Sequence, residues 1–131
     1  MDADLKKLSQ KGLDAVLPQL DCFPTHFKNY LVTLHVPEYT SVCPKTGMPD
    51  FGTITLQYVP NQLCVELKAF KYYIHAYRNI GISYENVVNK ILQDFVRAAK
   101  PKWAYVKGDF TPRGGIRSTI EAQHGKRPKG I

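Results

Sequence analysis

The sequence predicts an α+β domain built on an antiparallel four-stranded sheet, with two helices on one face of it. Two segments of β-type alternation precede two segments of helical spacing, two more β-type segments follow, and turn residues separate them. Strands grouped around a helix pair in this ββααββ order are typical of α+β domains. A chain of 131 residues has the length of one domain with a modest core.

We expect an arm ahead of this domain, over residues 1–26. Residues 13–20 have weak amphipathic spacing, which predicts a helical turn or two, and Pro24 ends that stretch. The domain itself is predicted to occupy residues 27–125. The last residues, 126–131, are rich in Lys and Arg, so we expect a solvated, disordered tail there.

The first two predicted strands are joined by a loop. Residues 27–36 have the period of two that is typical of a strand, and Pro37 is expected to close it. Residues 51–59 alternate again, and a turn then leads to a short strand over residues 63–66. The second of these strands places three residues on one face: Ile54, Leu56 and Tyr58.

Two helices are predicted after these strands. Residues 68–78 have helical spacing, and Gly81 stops this helix. Ser83 is a plausible N-cap for the next one, which runs to about Lys100 and is ended by Pro101. The apolar side of the first helix carries three residues: Phe70, Ile74 and Tyr77.

The last two predicted strands, residues 103–110 and 116–124, are joined through a Pro-Arg-Gly-Gly turn. A four-stranded sheet has two open edges, which must be paired, covered or blunted. We therefore expect the chain to form a homo-oligomer.

Composition excludes several classes of protein. No apolar run approaches the 18 residues or so of a membrane span, and the N-terminus has no apolar region of the secretory type. Three cysteines at unrelated spacings favour a reducing cytoplasm over a disulfide framework. No Cys-x-x-Cys or close His pair is present, so we expect no metal. The formal charge of +7 is compatible with an anionic ligand.

The loop at residues 43–50, Cys-Pro-Lys-Thr-Gly-Met-Pro-Asp, has two interpretations. Its prolines and Gly47 favour a turn with few conformers. Such a turn can present the Cys43 thiol and the Asp50 carboxyl to one small electrophile. It can equally be a tight connection between two strands, with Asp50 capping the turn.

Four further motifs follow in order: Glu-Leu-Lys-Ala-Phe-Lys-Tyr-Tyr at 66–73, Arg-Asn-Ile-Gly at 78–81, Tyr-Glu-Asn at 84–86 and Gly-Asp-Phe-Thr-Pro-Arg-Gly-Gly-Ile at 108–116. With the loop at 43–50, they make the chain resemble the NADPH-dependent 7-cyano-7-deazaguanine reductases, the nitrile reductases of queuosine biosynthesis, a pathway of tRNA modification. The resemblance runs from about residue 30 to about residue 125. It implies the tunnelling fold, in which subunits form a barrel of stacked pentamers.

The resemblance also implies the chemistry. Cys43 would attack the nitrile carbon and form a thioimide, and Asp50 would be the proton donor. Two NADPH would then take nitrile to imine and imine to amine. Cys43 lies in a turn and should be accessible to a ligand. Cys64 lies in an apolar strand and is expected to be a small buried side chain, and Cys22 has no setting that suggests a role.

The substrate-binding positions implied by the family are Val65, Glu66, Leu67, Tyr84 and Glu85. A carboxylate can accept two hydrogen bonds from the N–H and amino groups of a deazaguanine edge. Without the resemblance, Glu66 and Glu85 can each be interpreted as a surface residue at a helix start, where the helix dipole favours a negative charge. Tyr84 departs from the His common in the family, and Leu67 stands where some members have Ser.

No Gly-x-Gly-x-x-Gly motif follows a strand, so the sequence predicts no Rossmann site. Lys68 and Lys71 share a helix face, and Arg113 precedes two glycines whose N–H groups could cup an anion. These three residues are the candidates for binding NADPH phosphates. A solvated basic face is the alternative.

Two other functions would require different residues or cofactors. An amidinotransferase-like enzyme of the same fold, acting on deazaguanine-modified tRNA, would share Cys43 and Asp50 without using NADPH. A nucleic-acid-binding domain would explain the charge but not the loop. The motif at 66–73 favours the reductase, for which we expect no direct nucleic-acid partner and no membrane.

Overall fold

The structure, a computed structural model, describes residues 2–131. Its three helices and six strands, with one turn of 3₁₀ helix, are in order α1 (Ala3–Leu8), β1 (Cys22–Pro24), β2 (Val32–Val42), β3 (Pro49–Val59), β4 (Leu63–Val65), α2 (Leu67–His75), the 3₁₀ turn (Ala76–Asn79), α3 (Tyr84–Ala99), β5 (Trp103–Arg113) and β6 (Ile116–Gly125). None of these helices is long and apolar enough to cross a membrane.

The main sheet has the strand order β2-β3-β5-β6, with every neighbouring pair antiparallel. A second, two-stranded antiparallel sheet pairs β1 with β4. The predicted α+β class is confirmed. The element order is longer than predicted, because α1 and β1 precede the domain's first long strand.

Several predicted elements are confirmed by burial and capping. The β3 face of Ile54, Leu56 and Tyr58 is buried under the helices. The side chain of Ser83 caps α3 by accepting from Asn86 N at 3.1 Å. At its other end α3 stops one residue before Lys100, which has a left-handed φ of 47°. Helix α2 buries Phe70 and Ile74, and the 3₁₀ turn that follows it buries Tyr77, so all three predicted residues are in the core.

The prediction that Pro37 ends the first strand is wrong. Strand β2 continues to Val42, with its register against β3 shifted between Val36 and Tyr39. Proline cannot donate to a β-ladder, but it is tolerated at a bulge and on an edge strand. Strand β2 is an edge of the sheet, so both conditions apply.

The predicted helical turn at residues 13–20 is also wrong, because the N-terminal helix is α1. The arm that follows it docks on the domain. Asn86 Nδ2 donates to Ser9 O at 2.7 Å, and Lys90 Nζ donates to Leu13 O at 3.1 Å. The arm therefore packs along α3.

The two faces of the main sheet differ. Helices α2 and α3 cover the face that carries the apolar side chains of β3 and β5. Side chains on the other face are polar and partly exposed, among them Thr53, Thr55, Gln57 and Lys107. There Arg117 Nε donates to Asp109 Oδ1 at 2.9 Å. Antiparallel sheets commonly bury one face and solvate the other.

The C-terminal tail returns to this polar face. The Arg127 guanidinium lies 5.0 Å from the centre of the Trp103 ring, within cation–π range. Trp103 Nε1 also donates to Gln123 Oε1 at 3.3 Å. In the structure, the tail that we expected to be disordered has one defined contact with the domain.

Candidate active site

The hairpin between β2 and β3 positions Cys43 and Asp50. Cys43 N donates to Met48 O at 2.8 Å, and Gly47 N donates back to Cys43 O at 2.9 Å. Gly47 adopts a φ of 75°, a conformation that glycine reaches without strain. Asp50 follows at the start of β3, directly opposite Ser41. The turn thus brings thiol and carboxyl to the same end of the sheet. The expectation that Cys43 is accessible is wrong, because Arg113 lies against its sulfur and Cys43 is only 7% exposed; Asp50 is 4% exposed.

Arg113 links these two groups. Its Nη2 donates to Asp50 Oδ1, and its Nη1 lies 3.7 Å from Cys43 Sγ. The same guanidinium lies 4.5 Å from the centre of the Tyr84 ring. Arg113 is at the end of β5, 63 residues from Asp50 along the chain. The antiparallel pairing of β3 with β5 brings them together.

Tyr84 supplies a second contact to the carboxyl. Its hydroxyl donates to Asp50 Oδ1 at 3.2 Å, and its ring stacks on Phe110 with centres 3.9 Å apart and planes 8° apart. Both protein donors therefore bind the same oxygen. The other oxygen, Oδ2, is buried and has no hydrogen-bond partner within residues 2–131. Asp50 Oδ2 is therefore the atom that is free to accept a hydrogen bond or to carry a proton.

The surroundings of Cys43 favour its thiolate. Desolvation works to raise the pKa of the thiol. The Thr46 hydroxyl, the loop N–H groups of Thr46 and Lys45, and the Arg113 charge together outweigh it, so the pKa of Cys43 lies below its ordinary value. A lowered pKa is what distinguishes a reactive cysteine from an inert buried one.

Tyr84 remains a neutral hydroxyl in this site. Burial, followed by the negative charge of Asp50, raises the pKa of Tyr84 above its ordinary value. A neutral phenol keeps its proton and can donate it to the carboxylate. Tyr84 is therefore a hydrogen-bond donor to Asp50 rather than a second charge beside it.

The predicted substrate-binding residues Val65 and Glu66 lie far from Cys43 and Asp50 in the structure. Glu66 caps α2, its Oε2 accepting from Ala69 N at 2.6 Å, and Val65 N donates to the Tyr58 hydroxyl at 3.1 Å. Tyr58 and Asp50 are at opposite ends of β3. At about 3.3 Å per residue the eight intervening steps span roughly 26 Å. One chain does not bring the two groups together.

The remaining predicted residues are exposed. Leu67 and Lys71 line a groove of about 420 Å³ between α2 and β2. Lys68 lies 5.9 Å above the Tyr72 ring, and neither lysine is in an ion pair within residues 2–131. Glu85 is exposed in the first turn of α3.

Two site residues were missed by the sequence analysis. The hydroxyls of Ser41 and Tyr39 are buried beside Asp50 without a hydrogen-bond partner in the part of the chain that the structure describes. The hairpin around residues 43–48 offered a signal, since antiparallel pairing places Ser41 opposite Asp50.

Within the described chain no three His, Cys, Asp or Glu side chains are grouped as a metal site would require.

Comparisons with known proteins agree with one another. The family model described as QueF-like protein matches residues 49–129. A reductase of Elusimicrobium minutum, the NADPH-dependent 7-cyano-7-deazaguanine reductase, is 54% identical over 123 residues, which is 93% of each chain. A protein of the same name from Chloroherpeton thalassium is 55% identical over 80% of this chain and 92% of its own.

A solved structure shares the fold. The apo form of the archaeosine synthase QueF-Like aligns with a TM-score of 0.71 over 78% of this chain and all of the other. The two sequences are only 24% identical, so this likeness bears on the fold alone.

Proposed function

The chain belongs to the family of NADPH-dependent 7-cyano-7-deazaguanine reductases, and from that membership we propose that it reduces the nitrile of 7-cyano-7-deazaguanine to the aminomethyl group in queuosine biosynthesis. The observation that carries this function is the 54% identity over 93% of both chains. The activity is that of an oxidoreductase, with NADPH as the source of each hydride. Three free cysteines fit a cytoplasmic location.

Cys43 is the nucleophile in this proposal. A nitrile carbon is a weak electrophile, and a thiolate adds to it to give a thioimide, whose C=N bond is a better hydride acceptor. The pKa of Cys43 is lowered, and Arg113 lies beside its sulfur. Both features stabilise the attacking thiolate.

Asp50 is the proton carrier. As sulfur adds to carbon, the thiol proton passes to Asp50 and then to the nitrile nitrogen, so that formation of the thioimide takes up no proton overall. Each later hydride addition takes up one proton, and Cys43 is expelled between the two. The free Oδ2 of Asp50 is the atom suited to this transfer, since Oδ1 already accepts from Arg113 and Tyr84.

We propose that the substrate lies between two subunits. Cys43 with Asp50 and the segment 65–67 are separated by most of the length of β3, roughly 26 Å by strand geometry. A small base cannot touch both in one chain. A second copy that presents Val65, Glu66 and Leu67 to the first copy's Cys43 would complete the site, with Tyr84 and Glu85 at its border. The separation supports a site shared between subunits, and we propose the arrangement that the family resemblance implies, the tunnelling fold in a decamer of two pentamers.

Lys68 and Lys71 fit the phosphates of NADPH. Both are exposed cations on one helix face, free of ion pairs within the described residues. Arg113 is the third candidate. Its half-exposed guanidinium is ion-paired with Asp50, so a phosphate there would compete with that carboxylate.

The deciding experiment is mass spectrometry of the protein with 7-cyano-7-deazaguanine in the absence of NADPH. We expect a gain equal to the full mass of the nitrile, located on Cys43, and its loss when NADPH is added. Two NADPH should be oxidised for each nitrile consumed. A protein that formed no adduct and oxidised no NADPH would overturn the reductase. Conversion of the nitrile on a deazaguanine-modified tRNA without NADPH would then favour the amidinotransferase-like alternative.

A further inference from the structure

The N-terminal arm touches the loop that carries Cys43. Lys11 Nζ donates to Pro44 O at 3.3 Å, across 33 positions of the chain, and Pro44 directly follows the nucleophile. Lys11 is in no ion pair within residues 2–131, so this carbonyl is the partner of its ammonium group. The arm thus places a cation on the peptide group that follows Pro44.

The arm lies close against the backbone at the end of the motif at 78–81. Gly12 has a φ of 86°, and a Cβ at that position would lie 2.6 Å from Gly81 O, nearer than side-chain carbons approach an oxygen. A Cβ on Gly81 would in turn lie 3.2 Å from Lys11 Cε and 3.6 Å from Pro44 Cα. The bare backbone of Gly81 is therefore the surface on which the lysine stem and the catalytic loop meet.

Helix α3 holds the arm on both sides of Lys11. Asn86 Nδ2 donates to Ser9 O at 2.7 Å, and Lys90 Nζ donates to Leu13 O at 3.1 Å. Ser9 lies two residues before Lys11, and Leu13 lies two residues after it. The helix therefore fixes the path of the arm past the loop, and this path does not depend on the Lys11 side chain.

The loop is anchored to the same backbone where it begins. Val42 N donates to Ile80 O at 3.0 Å, and Ile82 N donates to Val42 O at 3.1 Å. Val42 is the residue before Cys43, so the segment 80–82 holds the start of the catalytic loop. The arm, this segment and the loop are therefore packed together as one unit.

Lys11 binds a peptide group whose other end faces the nucleophile. Pro44 C=O and Lys45 N–H belong to one trans peptide, in which the two bonds point in opposite directions. The Lys45 N–H is among the loop donors to Cys43 that favour its thiolate. A cation on the carbonyl strengthens that N–H as a donor, because hydrogen bonds in a chain polarise one another. The same contact fixes the direction in which the N–H points.

The other charged and titratable groups near Cys43 come from the sheet and from α3. Arg113 of β5 lies 3.7 Å from the sulfur, Asp50 of β3 is ion-paired with it, and Tyr84 of α3 lies against the same guanidinium. Burial first, and then the charge of Asp50, raises the pKa of Tyr84, which stays neutral. Lys11 is in no ion pair with these groups within the described residues. Removing its charge should therefore leave the ion pair of Arg113 in place.

We propose that Lys11 is a positioning residue for the nucleophile, which stabilises the Cys43 thiolate by holding and polarising the peptide between Pro44 and Lys45. This rests on the proposed function, in which that thiolate attacks the nitrile carbon. Lys11 touches neither the substrate nor the reacting sulfur, and it acts only through the peptide. Its loss should disfavour the thiolate and slow adduct formation, with the Michaelis constant for NADPH unchanged.

The test compares Lys11→Met and Lys11→Arg with Lys7→Met, which removes an exposed lysine of α1 that is in no ion pair within residues 2–131. The ultraviolet absorbance of the thiolate is followed against pH, as the difference between each protein and the same protein carrying Cys43→Ala. In Lys11→Met, we expect the Cys43 midpoint to rise by about half a pH unit to one unit. Lys11→Arg keeps a charged donor and should retain most of the parent midpoint, and Lys7→Met should retain all of it.

Gly12→Ala provides a second route to the same result. The added Cβ would collide with Gly81 O at a φ that strains any residue but glycine, so the arm should lift from the loop with Lys11 intact. The Cys43 midpoint should rise as in Lys11→Met, and the double variant should show no further rise. Adduct formation at neutral pH should slow about threefold to tenfold in each variant, the equivalent of that shift.

The outcomes separate the role of Lys11 from the reductase activity. A Lys11→Met midpoint equal to that of the parent would overturn the proposed role. An equal rise in Lys7→Met would also overturn it, because a general loss of positive charge would then be the cause. The absorbance measurement uses neither nitrile nor NADPH. If the midpoints shift as expected and the parent protein consumes no NADPH with the nitrile, the proposed function has failed and Lys11 still supports the thiolate.

Discussion

The hairpin end of the sheet and the start of α2 are both predicted to meet the substrate, and they differ in how complete they are. At the hairpin, Cys43, Asp50, Tyr84 and Arg113 are partly buried and contact one another. At the start of α2, the Lys68 and Leu67 side chains are exposed, and Lys68 is in no ion pair within residues 2–131. In the proposed function, the groups that make and break bonds lie together within one chain, whereas the groups that recognise the substrate are left for a second copy to contact. Substitutions in the first region, the hairpin end of the sheet, should therefore affect bond making, and substitutions in the second region, the start of α2, should affect the affinity for substrate or cofactor.

The largest effect is expected from Cys43→Ala. Because no other group of the hairpin end can form a thioimide, both the covalent adduct and NADPH oxidation should be abolished. Mass spectrometry and absorbance at the nicotinamide band measure the two. Cys64→Ala is the matched control: it should keep both activities and lower the free energy of unfolding by about 1 kcal/mol, the cost of a small cavity and of the lost contact with Tyr30. A Cys43→Ala protein that still turned over would remove the mechanism.

Asp50→Asn should come next. The amide keeps the size of the side chain and can still accept from Arg113 and Tyr84, but it carries no transferable proton. Adduct formation and reduction should both slow by a factor on the order of 10² or more. Single-turnover rates between pH 6 and 8 provide the measurement. Unchanged rates across that range would make the acid a turn residue.

Arg113→Gln tests the hairpin end through the pH dependence of the rate of adduct formation. Against desolvation, which works to raise it, the pKa of the Cys43 thiol is lowered by the Thr46 hydroxyl, by the loop N–H groups and by the Arg113 charge. The thiolate is therefore the major form at a lower pH than for an ordinary cysteine. Removing the charge should raise that pKa and shift the adduct-rate profile to higher pH. Adduct formation at neutral pH should slow roughly tenfold to a hundredfold, the equivalent of a charge-assisted contact.

Part of that loss should be recovered as the pH is raised through the new thiol pKa. Arg117→Gln, which removes an exposed guanidinium paired with Asp109, is the control and should leave the profile in place. If Arg113→Gln shifted the profile downward or not at all, the guanidinium would not be stabilising the thiolate.

The smallest effects are expected in the second region. Lys68→Gln and Lys71→Gln should each raise the Michaelis constant for NADPH about tenfold, since a charge-assisted contact contributes about 1.5–3 kcal/mol. Adduct formation needs only nitrile, Cys43 and Asp50, so it should be unchanged and serves as the folding control. Wild-type NADPH kinetics in both variants would mean a solvated basic face, with the cofactor bound elsewhere.

The same contrast explains what the sequence could predict. Strand β3 could be predicted from its alternation of apolar and polar residues, and helix α3 from its helical spacing and the Ser83 cap. Each of these signals depends only on residues close together in the sequence. Pro37 was misjudged because its effect depends on whether β2 is an edge strand, a fact set by the whole sheet. Helix α1 was missed because none of its residues is buried, so it has no apolar face that would repeat at helical spacing.

In the site, the Cys43 loop was predictable because thiol and carboxyl lie within one short turn. The bond from Arg113 to Asp50 was not, because it joins residues 63 positions apart and depends on the β3–β5 register. The sequence analysis assigned Arg113 to the cofactor; the structure places it against Cys43 and Asp50. The alternative for Glu66, a surface residue at a helix start, anticipated its place before α2 but not the hydrogen bond that its carboxylate accepts from Ala69 N.

The distance between the two regions has a genetic consequence. If each site takes Cys43 from one copy and Glu66 from its neighbour, two inactive alleles can complement each other. In oligomers assembled from equal amounts of Cys43→Ala and Glu66→Gln chains, about one interface in four would pair an intact Cys43 with an intact Glu66, as random head-to-tail association requires. Cells carrying both alleles would then make the aminomethyl product that neither allele makes alone.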